Sequence, residues 1–153
     1  MAAQTRGYAH RIDINAPASR VWSALLEPQL LARWFGPQAT VEPRAGGIFD
    51  STLDPGIHRK AAIDRFEPGR RLRLVYQPPE GLPGYDGAMV DDFMLESDGA
   101  QTIVRVLGSG IPQEPSWDDY YLQLRVYTER AMERLKVLME RKVSPPTTPG
   151  SGL

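Results

Sequence analysis

The stretch Ile12-Asp13-Ile14-Asn15-Ala16-Pro17, continued by Ala18 to Leu26, Pro28 to Phe35 and Gly46-Gly47-Ile48-Phe49, decides the fold. Tyr8 to Asn15 alternates as a strand, with Ile12 and Ile14 on one face and Arg11, Asp13 and Asn15 on the other. Pro17 then suits the first position of a helix, where its missing N–H would be unpaired anyway. Val21, Trp22, Leu25 and Leu26 form an apolar stripe at helical spacing. Pro28 stops that helix and starts a second, in which Leu30, Leu31, Trp34 and Phe35 face inward, and Gly36-Pro37 ends it. The Gly46-Gly47 turn sends the chain back as a strand.

Outward from this opening, the middle of the chain reads as a meander of strands separated by turns. Ala39 to Arg44 and Ile48 to Leu53 come first, followed by a turn at Asp54-Pro55-Gly56. Ile57 to Phe66 runs to the Pro68-Gly69 turn, and Leu72 to Gln77 alternates Leu72, Leu74 and Tyr76 against Arg71, Arg73 and Val75. Pro78 to Gly87 is a long loop at one mouth of the sheet. Met89 to Glu96 and Thr102 to Leu107 form a last hairpin around Asp98-Gly99.

From Trp117 the period becomes helical for about seven turns. Ser116 is positioned to cap this helix, and Asp118 and Asp119 occupy its first turn, where negative charge favours the dipole. Tyr121, Leu124, Thr128, Ala131, Leu135 and Leu138 make the inward stripe, while Arg125, Glu129, Arg130, Glu133, Arg134, Lys136 and Glu140 hold most of the other face. The Pro-rich run after Lys142 cannot form a core. The reading is α+β: a curved antiparallel sheet of about seven strands wrapped around one long C-terminal helix, with two short helices after the first strand. A single domain over 8–142 is expected, with 1–7 and 143–153 as disordered tails.

The bulk numbers exclude several classes. A chain of 153 residues, 41% hydrophobic and 24% charged, is ordinary globular composition for one domain. A formal net charge of −1 gives no reason to expect nucleic acid or an anionic membrane as partner. No apolar run approaches the roughly 20 residues that span a bilayer, and the N-terminus lacks the apolar stretch of a signal peptide, so a cytoplasmic location is expected. The absence of cysteine removes disulfides and thiolate chemistry. His10 and His58 fit no metal-binding spacing, and no phosphate loop or nucleophile elbow is present. Neither a metal nor a cofactor is expected.

The order of elements resembles the SRPBCC or START-like superfamily, whose fold is called the helix grip. More narrowly it is similar to the branch named after activator homologues of the ninety-kilodalton heat-shock chaperone's ATPase. The resemblance rests on Ala16-Pro17, Val21-Trp22, Leu25, Arg33-Trp34-Phe35, Gly46-Gly47 before Phe49, Arg71-Leu72, Leu95, Thr102 and Glu133-Arg134-Leu135-Lys136, and covers roughly Tyr8 to Arg141. It implies a cavity between the long helix and the sheet that binds a hydrophobic or amphipathic small molecule, without a shared catalytic residue set. Members of the branch often carry Gly-Trp in the final helix; here Val126-Tyr127 stand there, which removes a small residue that would open space.

Within this frame Asp91 is the polar residue of most interest. If Phe93 and Leu95 point inward, paired with Val104 and Val106, alternation sends Asp91 inward as well. A carboxylate in an apolar cavity would have a raised pKa and would serve as a general base or as an anchor for an amine or hydroxyl. Asp92 then faces the opposite way, so the two are no dyad. His58 reads as a solvated histidine rather than an acid–base group. The expected ligand-lining set is Trp34, Phe49, Tyr76, Met89, Asp91, Phe93, Val104, Leu124, Tyr127 and Ala131, with Asp91 as the one weak catalytic candidate. Three functions compete: non-catalytic binding of a hydrophobic or aromatic molecule, a cyclase, dehydratase or aldol-type enzyme, and a chaperone-ATPase stimulator. Self-association through a strand edge or the Pro78–Gly87 loop is a further expectation.

Overall fold

The computed structural model describes residues 4–53, 56–84 and 87–141. The chain runs β1 (Thr5–Ile14), α1 (Ala18–Leu26), α2 (Pro28–Trp34), β2 (Gln38–Val41), β3 (Ile48–Leu53), β4 (Ile57–Glu67), β5 (Arg71–Tyr76), β6 (Met89–Asp98), β7 (Gln101–Pro112), a 3₁₀ turn (Pro115–Trp117) and α3 (Asp118–Glu140). All seven strands form one antiparallel sheet in the order β1-β7-β6-β5-β4-β3-β2. This is the helix-grip arrangement expected from the sequence.

Local chemistry sets the helical corner. Pro17 is extended (φ −69°, ψ 150°) and precedes α1, whose Val21, Ala24 and Leu25 are buried. Glu27, held extended before Pro28, ends α1 and opens α2 with proline at its start. The Thr102 hydroxyl donates to the Ala16 carbonyl at 2.7 Å, tying this corner to β7. At the C-terminal end of α3 the Asn15 amide donates to Glu140 at 2.8 Å, and Lys136 donates to the Asp13 carbonyl and to Glu140. The long helix is thus fastened to the end of β1.

The inner face of the sheet and the apolar stripe of α3 share one core. Leu124, Ala131, Met132, Leu135 and Met139 of α3 pack into the cluster that holds Ile14, Phe49, Leu53, Ile63, Leu72, Leu74, Phe93, Leu95, Val104 and Val106. The pairings Phe93–Val106 and Leu95–Val104 are those expected from alternation. A register shift in β4 between Ile63 and Arg65 reverses the alternation, so Phe66 turns in to meet Trp22 edge-on at 5.5 Å.

Four expectations need correction. β1 begins at Thr5, so residues 5–7, read as tail, are strand residues, with Thr5 and Arg6 paired to Pro112 and Ile111. β7 extends to Pro112, well past Leu107, because Gly108 and Gly110 hide its alternation. β2 stops at Val41 because the Arg44 and Gly47 amides bond within the turn, to the Glu42 and Arg44 carbonyls, while Gly46 donates to Ile63 of β4. Ser116 does not cap α3: it lies in the 3₁₀ turn, Trp117 precedes the helix, and no side chain caps its N-terminus. The first residues of the Asp54-Pro55-Gly56 turn, Tyr85 and Asp86 of the long loop, and everything after Arg141 lie outside the described residues.

Candidate functional site

Asp91 lies on β6 with its side chain on the concave face, 2% exposed, where alternation sends it. Its surroundings are not the apolar pocket expected. One carboxylate oxygen accepts a hydrogen bond from the Tyr8 hydroxyl at 2.5 Å; the other accepts from the Tyr76 hydroxyl at 2.8 Å and from the Arg59 guanidinium at 3.2 Å. Four residues from four strands meet here. Arg59 and Asp91 form an ion pair whose side chains are 5% and 4% exposed. The Arg59 guanidinium also lies over the Tyr76 ring, 3.5 Å from its centroid.

The sheet geometry explains this convergence. Tyr8 lies opposite Gly108 on β7, and Gly108 lies opposite Asp91 on β6. A Cβ at position 108 would overlap the Tyr8 ring, so only glycine lets the phenol lie across β7 and reach the next strand. On the other side Tyr76 pairs with Ala61, and Arg59 follows two residues along the same face of β4. Thr128 of α3 closes the cluster from above with a hydrogen bond to the Tyr8 hydroxyl.

Burial pushes the Tyr8 and Tyr76 phenols far above their ordinary range, and the Asp91 carboxylate pushes both the same way. For Arg59, burial alone works against the charge, but the Tyr76, Asp91 and Tyr8 oxygens around it more than offset this, so its pKa is raised. The cluster therefore holds one fixed cation and two protonated phenols. Two buried atoms beside it have no protein partner: Nε of Arg59 and Oγ of Ser51. Ser51, 1% exposed, lies directly opposite Arg59 across the β3–β4 pair. An unpaired buried polar group costs about 1–3 kcal/mol, so two side by side call for an explanation.

Open space reaches this cluster from one side. A pocket of about 530 Å³ is lined by residues 56–60, by Gln77, Pro78, Pro79 and Glu80, and by Tyr120 of α3. Arg59 belongs both to this mouth and to the buried cluster. A larger groove of about 960 Å³ lies elsewhere, between α2 and α3. Trp34 and Tyr127 line it, but their polar atoms are committed: the Trp34 indole donates to the Ala24 carbonyl and the Tyr127 hydroxyl to the Phe35 carbonyl. Arg134 spans the same corner by donating to the Trp34 carbonyl. The smaller pocket, where the buried charges are, is the better candidate.

The ten expected lining residues do not border this pocket: Trp34 and Tyr127 line the α2–α3 groove, and the others belong to the core or to the polar cluster. Trp34, Phe49, Tyr76, Met89, Phe93, Val104, Leu124 and Ala131 are all buried in the one core cluster, packed against one another, and Tyr127 borders it. Val126 is 41% exposed, so the residue at that position does not fill the interior. His58 is on the outer face, bonded to Asp50. Asp92 also points outward, to a two-bond pair with Arg71 at 3.0 and 2.6 Å. Tyr8, Ser51, Arg59, Tyr120 and Thr128 were missing from the expected set. Arg59 alternates with Ala61 and Ile63, a signal that would have turned it inward; the roles of Tyr8 and Ser51 depend on strand neighbours distant in sequence.

Residues 15–140 match the family described as Activator of Hsp90 ATPase homolog 1-like protein. The chain belongs to this family. Among solved structures it is similar to protein MLL2253 from Mesorhizobium loti, at 23% identity and TM-score 0.77, covering 90% of this chain and 98% of that one. CalU16 from Micromonospora echinospora shares 26% identity, with TM-score 0.69 over 90% of this chain and 78% of that chain. The Aha1 dimer from Colwellia psychrerythraea, solved in solution, shares 18% identity, with TM-score 0.70 over 89% and 97% of the two chains. No curated protein matches the sequence. Family members share this helix-grip frame; what this chain does with it rests on its own residues. Among the described residues no helix is long and apolar enough to cross a membrane, and no group of three or more His, Asp or Glu could hold a metal ion.

Proposed function

We propose that this family member binds a small hydrophobic or aromatic molecule between α3 and the sheet, admitted through the mouth formed by residues 56–60, 77–80 and Tyr120. The observation that carries this reading is Arg59, a buried, ion-paired residue of the core that also lines an open pocket. A buried ion pair is weak evidence for stability, since well-packed apolar residues do as well or better. Its presence beside an opening favours a role in holding a ligand. Apolar burial supplies affinity at roughly 25 cal/mol per Å² before ordering costs, and the polar cluster sets orientation.

Binding is favoured over catalysis by a cavity carboxylate. The two oxygens of Asp91 already accept three hydrogen bonds, two of them from phenols and one from a guanidinium. A general base must have a lone pair free within reach of the substrate proton. Asp91 is better suited to fixing Arg59, Tyr8 and Tyr76 than to removing a proton.

The test uses the full chain and a neutral aromatic probe, 2-naphthamide, titrated while backbone amide NMR shifts are followed. Saturable shifts at Arg59, Gln77 and Tyr120 are expected. Shifts confined to the α2–α3 groove, or none, would remove the reading. Native mass spectrometry of freshly purified protein then asks whether a small molecule already accompanies it.

A second reading draws on the family description and on one surface. Leu122 and Val126 are 51% and 41% exposed and line the α2–α3 groove together with Arg33, Arg130 and Arg134. That surface is available to a protein partner, and the family description makes a chaperone ATPase the one to assay. No stimulation by the purified chain would eliminate it.

A further inference from the structure

Behind the mouth, where Arg59 joins the pocket to the buried cluster, the polar groups show an asymmetry that a purely apolar ligand leaves unexplained. Arg59 offers five N–H groups, and Asp91 engages only one end of its guanidinium. Its Nε–H is buried and has no protein acceptor. The Ser51 hydroxyl, buried on the neighbouring strand and directly opposite, also has no partner. Residues paired across antiparallel strands hold their Cβ atoms about 5 Å apart, so the two donors sit on one patch of the concave face. The positive charge beside them is permanent, and the one nearby carboxylate already accepts hydrogen bonds from two phenols. An incoming group that accepts two hydrogen bonds and carries negative charge would satisfy both atoms at once.

We infer that the ligand is a hydrophobic acid whose carboxylate, or an equivalent acidic oxygen, is received by Arg59 Nε and Ser51 Oγ while its apolar body lies toward Tyr120. This deepens the small-molecule reading and rests on it. Arg59 is preorganised to receive an anion, because stacking on the Tyr76 ring and tethering by Asp91 hold its planar fork in place before the ligand arrives. Lys60 and Glu80 at the mouth offset one another, so the guanidinium of Arg59 is the charge that selects an anion. Neighbouring Tyr120 adds an aromatic wall at the opening.

Paired probes of one shape test this. 2-Naphthoate and 2-naphthamide differ in the charge and accepting power of one group, and their affinities for the full chain are measured by isothermal titration. The wild-type chain is expected to prefer the acid by about tenfold or more, as sites built for a specific polar partner do. Ser51→Ala leaves the Arg59–Asp91 pair intact and should cut that preference several-fold with little change in the amide's affinity. Arg59→Lys keeps the charge, removes the planar fork and should abolish most of the preference; its thermal midpoint reports whether it still folds. Equal affinity for acid and amide in the wild type would overturn the inference while leaving the small-molecule reading in place. Failure of both probes to bind would remove the two together. A full preference retained in Ser51→Ala would overturn the assignment of Ser51 Oγ as a partner of the carboxylate.

Discussion

Removing the Asp91 carboxylate should be the most damaging single change in the interior, and the structure says by how much. Asp91→Leu deletes the acceptor shared by Arg59, Tyr8 and Tyr76. A buried guanidinium left without its partner costs about 3–5 kcal/mol. The stranded phenols add about 1–3 kcal/mol each where no other acceptor is found, and Thr128 spares Tyr8 part of that loss. A total of about 4 kcal/mol or more is expected, a large share of the roughly 5–15 kcal/mol of a typical domain. Arg59→Met should cost less, about 2–3 kcal/mol, because Asp91 keeps two phenol donors. The double variant Arg59→Met with Asp91→Leu removes both charges and should lie within about 2 kcal/mol of wild type. The two single effects therefore fail to add, by about 4 kcal/mol or more. Guanidinium chloride unfolding at neutral pH measures this as shifts in midpoint at constant m. Additivity to within about 0.5 kcal/mol, or an Asp91→Leu cost under about 1 kcal/mol, would refute the picture of a shared buried network.

Other outcomes follow from single contacts. Gly108→Ala drives a methyl into the Tyr8 ring, so it should cost about 1–3 kcal/mol and displace the phenol, seen as a loss of near-ultraviolet tyrosine signal at unchanged far-ultraviolet intensity. A neutral substitution there would show that Tyr8 does not need to lie over β7. Alkaline stability should fall above about pH 10: Tyr8 and Tyr76 keep their protons in the folded state while the unfolded chain releases its own from the ordinary value of 10.0. The unfolded state then binds fewer protons, and each tyrosine contributes a loss of about 1.4 kcal/mol per pH unit. Denaturation of Tyr8→Phe and Tyr76→Phe between about pH 9 and about pH 11.5 should show a flatter decline, and an unchanged slope would contradict their buried, neutral state. Tyr127→Phe should lose about 1 kcal/mol with the Phe35 carbonyl bond yet leave 2-naphthamide affinity unaltered. A large affinity change would move the site to the α2–α3 groove.

What the residues reveal unaided is local. Pro17, Pro28 and Gly36-Pro37 act on their own neighbours, so the bounds of α1 and the start of α2 are legible without any tertiary contact. Strand alternation is likewise intrinsic to extended backbone, which is why Asp91, Phe93 and Leu95 face inward as expected. Where a turn or a glycine interrupts the alternation, the legible strand shortens, as at β7 beyond Leu107.

The company Asp91 keeps belongs to the assembled sheet. Tyr8 lies 83 residues away in sequence and Arg59 32, and each reaches the carboxylate only because specific registers place Gly108 and Tyr76 between them. Register across several strands is a cooperative outcome of core packing, with no signature in any one segment. The frame, the inward carboxylate and the two-sided final helix therefore follow from residue order alone, since each depends on neighbours a few positions away. That the carboxylate accepts three hydrogen bonds from three other strands, and that Arg59 and Ser51 face each other beside it, follow from long-range strand pairing, which brings these groups together only once the sheet has closed around α3.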